Sequence, residues 1–139
     1  MTQLAIAVTF VWLGMVLAIS FLEAPLKFRA PGITVPLGLG IGRIVFRALN
    51  TVEVVLAVVL VVAAIVAGIT GLELALGVVV IAILAVQLLG VRPRLTRRSD
   101  QVLSGKSDGS QRSRTHYVYV AFEVAKVAGL IALGAALLA

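Results

Sequence analysis

The chain has no cysteine and a single histidine, His116. Without cysteine there is no disulfide, iron–sulfur cluster, thiolate zinc site or thiol nucleophile, and one histidine excludes an all-histidine metal site within one chain. Charge is scarce as well: Asp, Glu, Lys and Arg supply 13% of the residues, against about 25% in soluble domains. No nucleophile beside a base, no metal set and no cofactor loop is visible, so the expectation is a protein that is not an enzyme and holds no cofactor. His116 leaves haem or quinone binding open, and an absorbance spectrum of the purified protein decides the haem. Glycines 38, 40 and 42 recur at period two, which is neither the dinucleotide nor the Walker spacing. Close helix packing is their expected use.

What the chain does have is apolar length. Of its 139 residues 61% are hydrophobic, and a hydrocarbon core is crossed by a helix of about 20 such residues. Four stretches qualify: about Leu4 to Leu22, Ile44 to Ile69, Leu72 to Val91 and Tyr117 to Leu138. The expected fold is all-α, one integral membrane bundle of four transmembrane helices over residues 1–139. The first stretch has no Lys or Arg before it and the charged run Glu23 to Arg29 after it, which marks a retained span rather than a signal peptide. Gly68-Ile69-Thr70-Gly71 predicts a tight hairpin between spans two and three, with Gly68 ending one helix and Thr70 and Glu73 forming a capping box on the next. Three prolines between Ala24 and Pro36 predict an ordered but irregular loop. Arg92 to Thr115 predicts a second loop, with seven basic side chains against Asp100 and Asp108 and a flexible tip from Ser104 to Ser113.

Orientation follows from the basic residues, because short loops rich in Lys and Arg stay in the cytoplasm. With four spans, 11 of the 12 fall on one side and the twelfth, Lys126, lies inside span four. Both termini are therefore expected to be extracytoplasmic, in a multi-pass protein of the cell inner (cytoplasmic) membrane. The basic loop would meet anionic lipid head groups. It lacks the interleaved aromatics of a nucleic-acid binder, and no nucleic-acid partner is expected.

The informative residues are those that are costly in lipid, about 2.5–3.5 kcal/mol for a charge at the centre of a lone helix. Arg43, Arg47, Asn50 and Glu53 fall within about 120° of one another on a 3.6-residue helix, and His116, Tyr119, Glu123 and Lys126 within about 80°. These two polar stripes are expected to face each other, with Glu53 and Lys126 at matching depth and Glu123 nearby. One explanation is polar glue, the two glutamates sharing Lys126 to hold two helices in register, a common device in membrane bundles. The other is an ion or substrate site. Arg43 and Arg47 stand in the first turns of a helix and Glu23 at the end of another, positions that the helix dipole disfavours. Positive-inside topology with an ion pair from Glu23 to Arg43 or Arg47 explains them; an anion site at the cytoplasmic mouth is the sharper alternative. Glu73 is accounted for as a cap, and Trp12 as packing near mid-span. Ala121, Ala125 and Gly129, and Gly14 with Ala18, form small-residue ladders that let helices approach closely within the bundle or between subunits.

Trp12-Leu13-Gly14, Ala24-Pro25-Leu26-Lys27-Phe28, Gly42-Arg43-Ile44-Val45-Phe46, Arg92-Pro93 and His116, taken together, resemble the small bacterial membrane proteins of unknown function related to the transmembrane protein 205 family. That resemblance implies a compact four-helix membrane bundle and no established reaction. Glu53, Glu123 and Lys126 do not match its pattern. The functional expectation is a small membrane protein that moves an ion or small solute as a homo-oligomer, because one such bundle is too small to enclose a wide pore. The alternative is a non-catalytic accessory or assembly subunit of a larger membrane complex.

Overall fold

The computed structural model describes residues 1–105 and 114–139, and among these every regular element is helical. The elements are α1 (Thr2–Arg29), α2 (Val35–Ala67), α3 (Gly71–Val91), α4 (Arg92–Leu103) and α5 (Arg114–Leu138). α1, α2, α3 and the His116–Leu138 part of α5 are each long and apolar enough to cross a membrane. The chain is thus an all-α bundle of four candidate spans.

Several boundaries differ from expectation, and proline explains most of them. The predicted irregular loop shrinks to residues 30–34, because α1 runs on through Pro25 and α2 starts at Val35 rather than near Ile44. Pro36 occupies the first turn of α2, where its missing donor costs nothing, and Thr34 caps that end by accepting the Leu37 N–H at 3.2 Å. Pro25 lies inside α1, where a proline ring collides with the carbonyl four residues earlier. The helix answers by widening: Leu17–Glu23 is π-helical, and the Ala24 N–H reaches Ile19 O, five residues back. The same adjustment recurs ahead of Pro93. Gln87–Val91 is π-helical and the Arg92 N–H bonds Gln87 O.

Beyond that second widened turn the basic segment is not a loop at its start. Residues 92–103 form α4, with Pro93 in its first turn. Most of the tip for which flexibility was expected, residues 106–113, lies outside the described residues. At the other end, Gly68 terminates α2 as expected, in the left-handed region at φ 68°. The capping box does not form: Thr70 makes no side-chain cap bond, because Gly71 follows it in the left-handed region at φ 69° and takes the chain out of capping geometry.

α1 packs on both α2 and α5, and α5 packs on α3, so the order around the bundle is α2, α1, α5, α3. α2 and α3 are joined by the short turn yet touch sparsely, and the basic end of the cleft between them is bridged by α4. Small residues set the close approaches within the chain. A Cβ on Gly129 would stand 2.9 Å from Val80 Cγ2, and one on Gly134 would stand 2.7 Å from the Phe10 ring. Gly38 and Gly42 serve as expected, admitting the Phe28 ring and the Lys27 ammonium of α1, while Gly40 faces open space. The half of the bundle nearest the termini is filled by an apolar core that includes Ala5, Val8, Leu60, Ala63, Leu130 and Leu133.

The basic end should face the cytoplasm. A membrane-impermeant thiol reagent applied to intact cells should label a cysteine at position 2 and spare one at position 107. The reverse pattern would invert the topology.

Candidate functional site: a buried charge network between two basic cavities

Where the four spans meet, each supplies polar side chains to one desolvated network. The Lys126 ammonium of α5 lies 2.6 Å from Glu53 Oε2 of α2 and 2.6 Å from Glu123 Oε1, one turn away on its own helix. Its third proton goes to Gln87 Oε1 of α3 at 2.9 Å. Gln87 Nε2 in turn donates to Glu123 Oε1 at 2.8 Å, and Trp12 Nε1 of α1 donates to Glu53 Oε2 at 2.8 Å. Trp12, Glu53 and Lys126 are 0% exposed, and Gln87 and Glu123 2%. The expected meeting of Glu53, Glu123 and Lys126 is present. Trp12 and Gln87, its other two members, had no place in the sequence reading of the site.

Charge balance gives this network its chemical character. Two carboxylates and one ammonium sum to a formal charge of −1, and all three ammonium protons are already committed. Glu53 Oε1 and Glu123 Oε2 are buried without a hydrogen-bond partner. A dry site with an excess negative charge and two unsatisfied acceptor oxygens favours a proton or a small cation beside it.

On the basic side of the network lies a cavity of about 550 Å³. Phe21, Phe28 and Phe46 line it with Lys27, Arg43 and Arg92, and its wall also includes His116, Tyr119 and Glu123. Tyr119 is buried edge-on against Phe46 at a ring separation of 6.0 Å. The Arg92 guanidinium lies 5.0 Å from the Phe46 ring centre and 5.8 Å from that of Tyr119. Burial pushes Arg92 below its ordinary value, opposed by Tyr119 and Glu123, and a guanidinium stays cationic after such a shift. The cavity therefore reaches from a cationic, aromatic rim to a residue of the central network. Toward the termini the network abuts the apolar core.

A second, smaller cavity of about 260 Å³ opens on the flank between α2 and the junction of α3 with α4. Arg43, Arg47 and Asn50 line one side, and Leu88, Arg92 and Thr96 the other. Arg43 Nη1 is held at 2.6 Å by Asp100 Oδ1 of α4.

The two stripes therefore do not face each other along their whole length. Glu53 points into the bundle, whereas Arg47, six residues earlier and about 120° around a 3.6-residue helix, lies on its outside. Asn50 falls between them and lines the outer cavity. Glu23 pairs with neither Arg43 nor Arg47. Its carboxylate sits 3.8 Å from Lys27 Nζ, one turn on along α1, and Asp100 takes Arg43 instead. A partner already one turn away on the same helix costs less order than one on another element. Among the described residues no group of three or more His, Asp or Glu is placed to hold a metal ion.

Fold and network together define an integral membrane protein built as a helical bundle around a buried ionic centre. No family model matches the chain, and neither the curated proteins nor the solved structures contain a match to it.

Removing one partner of a buried ion pair costs about 3–5 kcal/mol because it strands the other. Lys126→Met leaves two carboxylates without their cation and should destabilise the protein by about that much. Glu53→Gln removes the excess negative charge and keeps the shape, so it should be milder. Adding Glu53→Gln to Lys126→Met should recover stability, with a coupling of at least about 1 kcal/mol in thermal unfolding in detergent. Additive effects would show that the two residues do not act together.

Proposed function

We propose that the protein is a small membrane carrier that moves an ion or small solute, with its route running down the 550 Å³ cavity to the Glu53, Glu123 and Lys126 centre. One observation carries this reading: the cavity occupies the basic half of the bundle and includes Glu123 in its wall, while packed apolar side chains fill the other half. That is the form expected of a carrier with access from one side. Ionisable groups at this depth are expensive to keep and are favoured where they bind or relay a solute, ion or proton.

The charge imbalance supports a proton or monovalent cation as at least one of the species handled. The homo-oligomer belongs to the same proposal. Gly14 faces open space and Ala18 is on the outside of α1, so this small-residue pair is free for a second copy, whereas Gly129 and Gly134 are filled from within the chain. Kinship with the bacterial relatives of the transmembrane protein 205 family also stands as a proposal, supported by the short motifs already named.

A second reading is supported by the completeness of the Lys126 hydrogen bonds: all three protons are taken, as polar glue requires. On that reading the protein is an accessory subunit, and the basic segment from Arg92 to Thr115 binds a larger complex.

Flux in proteoliposomes separates the two. Under the carrier reading the wild type moves protons, a monovalent cation or a small solute from a screened panel. Glu53→Gln, folded and inserted normally, should then lose at least about tenfold in rate, the effect of one lost charge contact. No wild-type flux, together with co-purification of a larger partner in stoichiometric amount, would establish the accessory role instead.

A further inference from the structure

We infer that the flank cavity formed by Arg43, Arg47 and Arg92 is a binding site for a phosphate group, and that the anionic head group of a phospholipid in the basic-end leaflet supplies it.

Depth is the first support. Arg47 stands 20 residues before Ala67, the end of α2, and Arg92 stands 21 residues after Gly71, the start of α3. At 1.5 Å per residue both lie about 30 Å from the terminal end of their helices, and the hydrocarbon core is about 30 Å thick. Arg47 on α2 and Arg92, the residue that follows the end of α3, therefore reach the plane of the lipid phosphates at the basic surface.

Charge is the second support. Three arginines line a cavity of about 260 Å³, and among the described residues Asp100 is the one carboxylate in an ion pair with any of them. Arg47 and Arg92 carry no such pair among the described residues, so the described lining of the cavity has an excess of two positive charges. Guanidinium presents paired donors that match phosphate oxygens. The Asn50 amide and the Thr96 hydroxyl add neutral donors on the same walls. Arg92 is not simply extended toward water, as an arginine serving only topology would be. It is drawn inward against the Phe46 and Tyr119 rings, and Arg43 is fixed by Asp100.

Shape is the third support. Val54 and Leu88 line the same cavity on its membrane side, and below it α2 and α3 separate enough to touch only sparsely. An acyl chain attached to a phosphate held by the arginines would lie along that apolar cleft. A free phosphate would use only the polar half of the cavity. Basic pockets between spans are a recurrent solution for anionic head groups.

The full chain in detergent, titrated with phosphatidylglycerol, phosphatidylcholine or inorganic phosphate and observed by native mass spectrometry, tests the site. One phosphatidylglycerol should be retained per chain in preference to phosphatidylcholine, whose own ammonium offsets its phosphate. Arg47→Gln and Arg92→Gln, each checked for native helicity, should weaken retention about tenfold, as expected for one charge-assisted hydrogen bond. Arg97→Gln makes the same change of charge on the exposed side of α4 and should alter retention by less than about twofold, since exposed charges are screened. If inorganic phosphate displaces the lipid at equal concentration, the phosphate site stands and its lipid source falls. Equal retention of both lipids, or an effect of Arg97→Gln as large as that of Arg47→Gln, would overturn the inference.

Discussion

An ammonium group buried at 0% exposure in the middle of a four-span bundle is the constraint on which the rest of this structure turns. Lys126 cannot remain there without acceptors for its three protons, and the chain finds them on three helices: Glu53 on α2, Gln87 on α3 and Glu123 on α5 itself. Trp12 brings in the fourth span through Glu53. Because hydrocarbon offers no competing hydrogen bonds, this one centre fixes rotation and depth for every span at once, which apolar side chains in an apolar solvent do poorly. The apolar contacts then follow. Gly129 against Val80 and Gly134 against Phe10 allow α5 to come close to α3 and α1.

Much of this was legible in the sequence because charge and helical period are both conspicuous in an apolar chain. Glu53 and Lys126 could be matched by depth, and Glu123 by its one-turn spacing from Lys126. Trp12 and Gln87 could not, since neither is charged and neither has a charged neighbour three or four residues away to give it a face. An intramembrane amide is nevertheless a usable signal: a buried glutamine needs both a donor and an acceptor, and Glu123 with Lys126 is the pair that provides them. The misplaced ion pair of Glu23 arose from ranking long-range complementarity above the local partner Lys27, one turn away. The missing capping box and the unforeseen α4 came from treating residue types as signals without the backbone that carries them, namely Gly71 in the left-handed region and Pro93 in a first turn.

The polar stripe on α2 shows how far a periodic pattern can be trusted. From Glu53 back to Arg47 the helix turns about 120°, enough to carry the pattern from the bundle centre to its flank. What looks in sequence like one functional face is therefore two. Its lower end belongs to the ionic centre, and its upper end belongs to the cleft between α2 and α3. Arg92 links the two regions, since it lines both the large cavity and the flank cavity. An anion bound on the flank would act on the same guanidinium that forms part of the rim above Glu123.

The backbone divides the labour among the spans in a way that bears on movement. α2 and the spanning part of α5, which carry the ion pair, are unbroken α-helices. α1 and α3, which carry the neutral partners Trp12 and Gln87, each contain a π-helical stretch ahead of a proline, and both stretches lie on the basic side of Trp12. A widened turn has fewer regular hydrogen bonds to lose when it bends, and such turns are frequent at functional sites. The segments beyond them include Ala24, Pro25 and Lys27 on one side and Arg92, Leu95 and Thr96 on the other, all in the wall of the large cavity. Both widened turns therefore adjoin the basic end of that wall, whereas Glu53, Glu123 and Lys126 sit on the two unbroken helices. The apolar half has no such break among its described residues, so its four spans pack there as regular α-helices around the core.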